Sequence, residues 1–100
     1  MASVLLDHNV PRGVRRILAA HDVRTTREMG WDALTNGELL SAAEAAGFAV
    51  LVTADRNIRH QQNLAPRTLA LVVLGTNVWP VLRGEGERIA EAVARAGPGS

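Results

Sequence analysis

Three short apolar runs constrain the fold more than any other feature of the chain: "SVLLD" at 3–7, "FAVLVT" at 48–53 and "LALVVL" at 69–74. A strand with one wet face alternates apolar and polar residues, whereas one that stays apolar along its length is covered on both faces. Helically spaced stretches lie between the runs. In "VPRGVRRILAAHD", Val14, Ile17 and Leu18 share one face, Arg12, Arg15 and Arg16 lie mostly on the other, and Pro11 stands where a first helical turn tolerates it. "NGELLSAAEAAG" at 36–47 reads as a helix with Asn36 as N-cap and Gly47 as stop, turning Leu39, Leu40 and Ala43 inward. "DVRTT" at 22–26 is β-prone, "REMGWDALT" suggests a short helix ending at Gly30, and a last helix spans 85–96 with Ile89 and Val93 inward.

Strands of this kind alternating with helices predict an α/β fold, a three-layer α/β/α sandwich with a short parallel sheet. One hundred residues suit a single domain, taken as 1–96, with "GPGS" at 97–100 as a flexible tail. If strand 2 lies on one side of strand 1 and strand 3 returns to the other, right-handed crossovers give the order 2-1-3-4. A topological switch then falls between strands 1 and 3, where open α/β sheets bind ligands beyond the strand C-termini. Asp7 ends strand 1 and Asp55 follows strand 3, so these two acids flank the predicted crevice. The helix starting near 36 runs antiparallel to strand 3, which hangs its first turn, with Glu38, over the same sheet edge.

Composition narrows the chemistry. No apolar stretch approaches the eighteen or so residues a membrane span needs, and "MASVLLDH" lacks the basic start of a signal peptide, so the sequence reads as cytoplasmic with no membrane partner. Without cysteine there is no disulfide, thiolate site or thiol nucleophile. His8, His21 and His60 are scattered without zinc-site spacing. The formal net charge of +1 does not announce a nucleic-acid binder. All eleven basic residues are arginine, which suits bidentate phosphate contacts, although with this much alanine a GC-rich genome explains the bias as well.

Converging carboxylates repel; a pair about 5 Å apart does so by about 3 kcal/mol at an effective dielectric of 20. A divalent cation, an arginine such as Arg56 or Arg59, or a retained proton must answer that charge. Hard oxygen donors at an open site favour Mg²⁺ or Mn²⁺. Plainer roles stand beside these. Asp7 or Asn9 would serve as a cap for the helix that follows, Glu38 as a first-turn acid favoured by the helix dipole, and Asn57 as a turn former. Arg59, Gln61, Gln62 and Asn63 could hold an RNA backbone or simply form a polar surface helix. Trp31 and Trp79 are expected in packing rather than under bases.

Taken together, "LLDHNVP" at 5–11, "NGELL" at 36–40, "VLVTADRNI" at 50–58 and "HQQNL" at 60–64 resemble, in order and spacing, the small PIN-like domains of bacterial toxin–antitoxin loci. The resemblance covers about residues 3–80. It implies an α/β/α sandwich and a Mg²⁺- or Mn²⁺-dependent endoribonuclease acting on RNA, restrained by a cognate antitoxin protein, with a homodimer among the assemblies it admits. It implies Asp7, Glu38 and Asp55 as catalytic, metal-binding acids. The fourth acidic position of many relatives is Asn57 here, which can ligate through its carbonyl but brings no charge. Asn9, Arg56, Arg59 and Gln62 are, by residue type and position, the candidate substrate-binding residues. The departure at Asn57 keeps a second reading open, a PIN-fold protein without strong catalysis that acts by binding RNA or a partner. A receiver-like phosphoacceptor would need a lysine after its last strand, and the chain has none.

Overall fold

A computed structural model describes residues 2–99. Four parallel strands form one sheet in the order β2-β1-β3-β4, as the crossover argument requires. The strands are β1 (Ser3–Leu6), β2 (Asp22–Thr25), β3 (Val50–Thr53) and β4 (Ala70–Val73). Between and after them come α1 (Val14–Ile17), α2 (Asn36–Ala45), α3 (Ile58–Gln61), α4 (Trp79–Gly84) and α5 (Gly86–Arg95). Leu6 pairs with Thr25 on one side and Val52 on the other, so the C-terminal ends of β2, β1 and β3 finish level.

The period of two sorts the strand residues into two cores. Val4, Leu6, Val50, Val52 and Val72 pack with Val14 and Leu18 of the α1 region, Leu82 of α4, and Ile89 and Val93 of α5. On the opposite face Leu5, Leu51 and Leu71 pack with Leu39, Leu40 and Ala43 of α2 and Ile58 of α3. Helices thus cover both faces, which is why β1, β3 and β4 carry no polar alternation, unlike the edge strand β2 with its exposed Asp22 and Arg24. Trp31 and Trp79 also serve packing. Trp31 meets Phe48 edge-on at 6.1 Å, and Trp79 lies over Gly13, where a Cβ would sit 2.2 Å from the indole.

Three expectations need correction. The helix after β1 is one α-turn, because Val14, Arg15 and Arg16 donate to Pro11, Arg12 and Gly13 in tight i→i+3 bonds before Val14–Ile17 winds as helix. Gly13 offers no side-chain cap there. The stretch around 26–30 is a turn rather than a helix, and α4 was not foreseen at all. At α2 the N-cap is Thr35, not Asn36; its hydroxyl accepts from the Glu38 N–H while Glu38 returns a carboxylate oxygen to the Thr35 N–H at 2.9 Å, a reciprocal capping box. The stop at Gly47 is as expected. Its φ of +86° lets Phe48 and Gly47 donate back to Ala43 and Glu44, closing the helix with a left-handed cap.

Both sheet edges are blunted, as exposed strand edges must be to avoid pairing with other chains. On the β2 edge Arg15 donates to the Val23 carbonyl at 3.0 Å, and Glu28, paired with Arg15 at 2.9 Å, accepts the Thr25 N–H. On the β4 edge Arg59 donates to Leu71 O at 2.7 Å and the Gly99 N–H to Leu69 O at 3.3 Å. The stretch expected as a tail therefore reaches the sheet at Gly99.

Candidate functional site

Asp7 and Asp55 meet at the switch between β1 and β3 through a residue between them, Thr53. Asp7 is 5 % exposed, and its main-chain N–H donates to Val52 O, which continues the β1–β3 ladder past the last strand residue. The same period that points Leu5 and Leu51 at α2 points Asp7 and Thr53 there. The fully buried Thr53 hydroxyl donates to Asp7 Oδ2 at 2.9 Å and accepts the Asp55 N–H at 3.1 Å. Asp7 Oδ1 accepts the His8 N–H at 2.8 Å and faces His8 Nδ1 at 3.0 Å. A buried carboxylate is costly to hold unless charge-assisted hydrogen bonds answer it, and both oxygens of Asp7 have such partners.

Asp55 is fixed from two directions. Its Oδ1 accepts the Asn57 N–H at 2.9 Å, and its Oδ2 accepts from Asn36 Nδ2 at 3.3 Å. Asn36 also donates to Gln61 Oε1 at 3.0 Å, tying the start of α2 to α3 across the acid. The shifted cap explains this arrangement. With Thr35 as N-cap, the amide of Asn36 is released from the helix terminus and turned toward Asp55.

Neither residue expected as a cap for α1 does that work. Asp7 binds His8 and Thr53, and Asn9 reaches across to β3, where its Oδ1 accepts the Ala54 N–H at 3.0 Å and its amide nitrogen lies 3.4 Å from Thr53 Oγ1. Asn9 therefore braces the loop between the two acids.

Glu38 stands apart. Its exposed carboxylate bonds to Thr35 through one oxygen, accepting both the N–H and the hydroxyl at 2.9 Å, and the Thr35 N–H first, then its hydroxyl, hold its pKa below the ordinary glutamate value. No three His, Asp or Glu side chains converge to metal-ligating distance among the described residues. Asn57 is exposed at the start of α3, without a side-chain cap bond.

No family model matches the chain, and no curated protein or solved structure is significantly similar to it. The site has to be read from its own atoms.

The arginines divide by position. Arg56 donates twice to Gly75 O, at 2.9 and 2.6 Å, and Arg59 donates to Leu71 O, so each already serves a backbone carbonyl. Gln62 lies against Gly37 at the first turn of α2. On the other side of Asp7 is a cleft of 660 Å³ lined by Asp7, His8, Arg12, Arg15, Thr26 and Arg27 among others. Sequence reasoning passed over Thr53, Asn36, Thr26 and this arginine group. The strand period could have found the two threonines, since Thr26, Asp7 and Thr53 form one row across β2, β1 and β3, one step beyond the Thr25, Leu6 and Val52 pairing.

As donors, the two strand-tip carboxylates fit a hard divalent cation, with the amide oxygens of Asn9 and Asn57 nearby in sequence. Glu38 would add its second oxygen, which carries no bond among the described residues.

Proposed function

We propose that the chain is a metal-dependent endoribonuclease of the PIN-like type, a toxin component held in check by a cognate antitoxin. The observation that carries this reading is the buried Thr53 hydroxyl, which joins Asp7 and Asp55 at the switch point of a 2-1-3-4 parallel sheet. Binding sites in open α/β sheets gather at that point, and two carboxylates held there by hydrogen bonds support a ligand-handling role. In this reading Asp7 and Asp55 hold Mg²⁺ or Mn²⁺, with Glu38 and Asn57 as outer oxygen donors. The cation, when bound, supplies an activated water and stabilises charge on the phosphodiester. Thr53 fixes the Asp7 rotamer, Asn36 orients Asp55, and Asn9 holds the loop so that the two acids keep their separation as RNA enters.

A second reading, binding without catalysis, is favoured by one observation: one Glu38 oxygen is closed into its capping box, and no three acidic side chains converge to metal-ligating distance among the described residues. One experiment separates the readings. Purified protein is incubated with RNA in Mg²⁺ or Mn²⁺ beside Asp7→Asn, with Mn²⁺ binding followed by calorimetry. The nuclease reading expects cleavage and Mn²⁺ binding by wild type, both lost in Asp7→Asn. Equal cleavage by the two proteins would overturn the assignment, and RNA binding with neither cleavage nor Mn²⁺ uptake would establish the second reading.

A further inference from the structure

We propose that the cleft between the tips of β1 and β2 is a phosphate subsite, in which Arg12, Arg27 and the Thr26 hydroxyl take a phosphodiester of an RNA strand lying across the sheet edge beside Asp7. The proposal rests on the reading that the strand-tip acids handle RNA, and it assigns the path of the strand, which that reading leaves open.

Three observations converge on the cleft. Its cations are unequal. Arg15 is occupied by Glu28 and the Val23 carbonyl, whereas the guanidinium groups of Arg12 and Arg27 make no ion pair or hydrogen bond among the described residues. Charge in the cleft follows: Arg15 and Glu28 cancel, which leaves Arg12 and Arg27 in its lining against the single carboxylate of Asp7. The third observation is at the floor. Thr26 is 0 % exposed, and its hydroxyl is the one buried side-chain polar atom without a partner among the described residues. A buried donor left unpaired is a cost that proteins rarely carry without a use, and a small turn of the Thr26 side chain toward the cleft would let a phosphate oxygen satisfy it.

The Thr26 N–H donates to Leu6 O, which puts Thr26 in the row of Asp7 on the neighbouring strand, about 4.8 Å away in strand spacing. A phosphate held there adjoins one held at the acids. Arginine suits the task because its planar fork meets phosphate oxygens bidentately. The α3 side offers no equivalent, since Arg56 and Arg59 are bonded to main-chain carbonyls.

The test measures binding of a fluorescently labelled oligoribonucleotide by anisotropy, in EDTA so that nothing is cleaved, over a range of salt. Wild type is compared with Arg12→Gln/Arg27→Gln, with Arg16→Gln/Arg83→Gln as a charge-matched control outside the cleft, and with Thr26→Val. The cleft double variant should weaken binding by about tenfold or more and flatten the dependence of log affinity on log salt by roughly one to two. The control should stay within about threefold of wild type. Thr26→Val should weaken binding by about threefold to tenfold while leaving the melting temperature equal or higher, because removing an unpaired hydroxyl does not harm the free protein. Equal weakening by the two double variants, with an unaltered Thr26→Val, overturns this subsite and leaves the nuclease reading standing. A wild type that binds no RNA at any salt overturns both.

Discussion

On the β3 side of the crevice, Arg56 and Arg59 are bonded to the Gly75 and Leu71 carbonyls; on the β1–β2 side, Arg12 and Arg27 line an open cleft and make no such bonds among the described residues. The sequence favours the first pair, because Arg56 and Arg59 directly follow Asp55 and sit among hydrogen-bonding side chains. In space the ranking reverses. Arg59 closes an edge strand and Arg56 pins the loop after β4, so both are tied to architecture. A charged residue beside a site in sequence becomes a ligand group only if the fold leaves its donors free. The two threonines flanking Asp7 differ in the same way: the Thr53 hydroxyl bonds to Asp7 and Asp55, and the Thr26 hydroxyl has no partner among the described residues.

The largest effect should come from Thr53. In Thr53→Val the buried Asp7 carboxylate loses a donor and the Asp55 N–H an acceptor, at a cost of about 3 kcal/mol in unfolding free energy. Thr53→Ser keeps the hydroxyl and should recover most of that in urea titrations. If Val and Ser variants are equally stable, the hydroxyl is not what holds the two acids, and the contrast with Thr26 collapses. Next comes the arginine comparison. Arg59→Met strands the Leu71 carbonyl at the sheet edge and should lower stability by about 1 kcal/mol, whereas Arg27→Met should stay within about 0.5 kcal/mol. Equal losses would mean that Arg27 has a structural partner and is no free cation. Thr26→Val should move in the opposite direction from Thr53→Val, gaining up to about 1 kcal/mol by removing an unsatisfied buried hydroxyl.

How far the fold could be read from the sequence follows from which forces wrote it. Burial on both faces leaves continuous apolar runs, and three of the four strands, the sheet order and the inward residues of α2 and α5 follow from those runs and chain handedness. Where local chemistry decides, single residues mislead by one place: Thr35 and Asn36 are both good caps, and only the reciprocal bond with Glu38 selects Thr35. That one-residue shift has a large consequence, closing one Glu38 oxygen onto Thr35 and leaving the Asn36 amide to Asp55. The α4 helix was illegible because the contacts that seat it, Trp79 against Gly13 and Leu82 in the core, join segments far apart in sequence. Asp7 and Asp55 were legible because strand ends and topology fix them. Thr26, Thr53, Arg12 and Arg27 were not picked out, because their roles depend on which hydrogen bonds other residues have already filled.

The smallest effect tests why Arg15 is not a third free cation of the cleft. Glu28 accepts the Thr25 N–H and pairs with Arg15, and these contacts, the backbone bond first, hold its pKa below the ordinary glutamate value. A carboxylate with a depressed folded pKa adds stability above its unfolded pKa of about 4.3, and that stability is lost as pH falls through the folded value. Glu28→Gln retains an acceptor for Thr25 but no charge, so its urea midpoint should fall slightly below that of wild type at pH 7. The gap should close as pH drops below about 4, because the wild-type side chain then becomes neutral too, and added salt should narrow it at pH 7 because the pair is exposed. A gap that persists unchanged to pH 2 would assign the loss to packing rather than charge. Arg15 would then be held out of the cleft by its bond to the Val23 carbonyl alone, and the division between occupied and free arginines would rest on the strand edge instead of on Glu28.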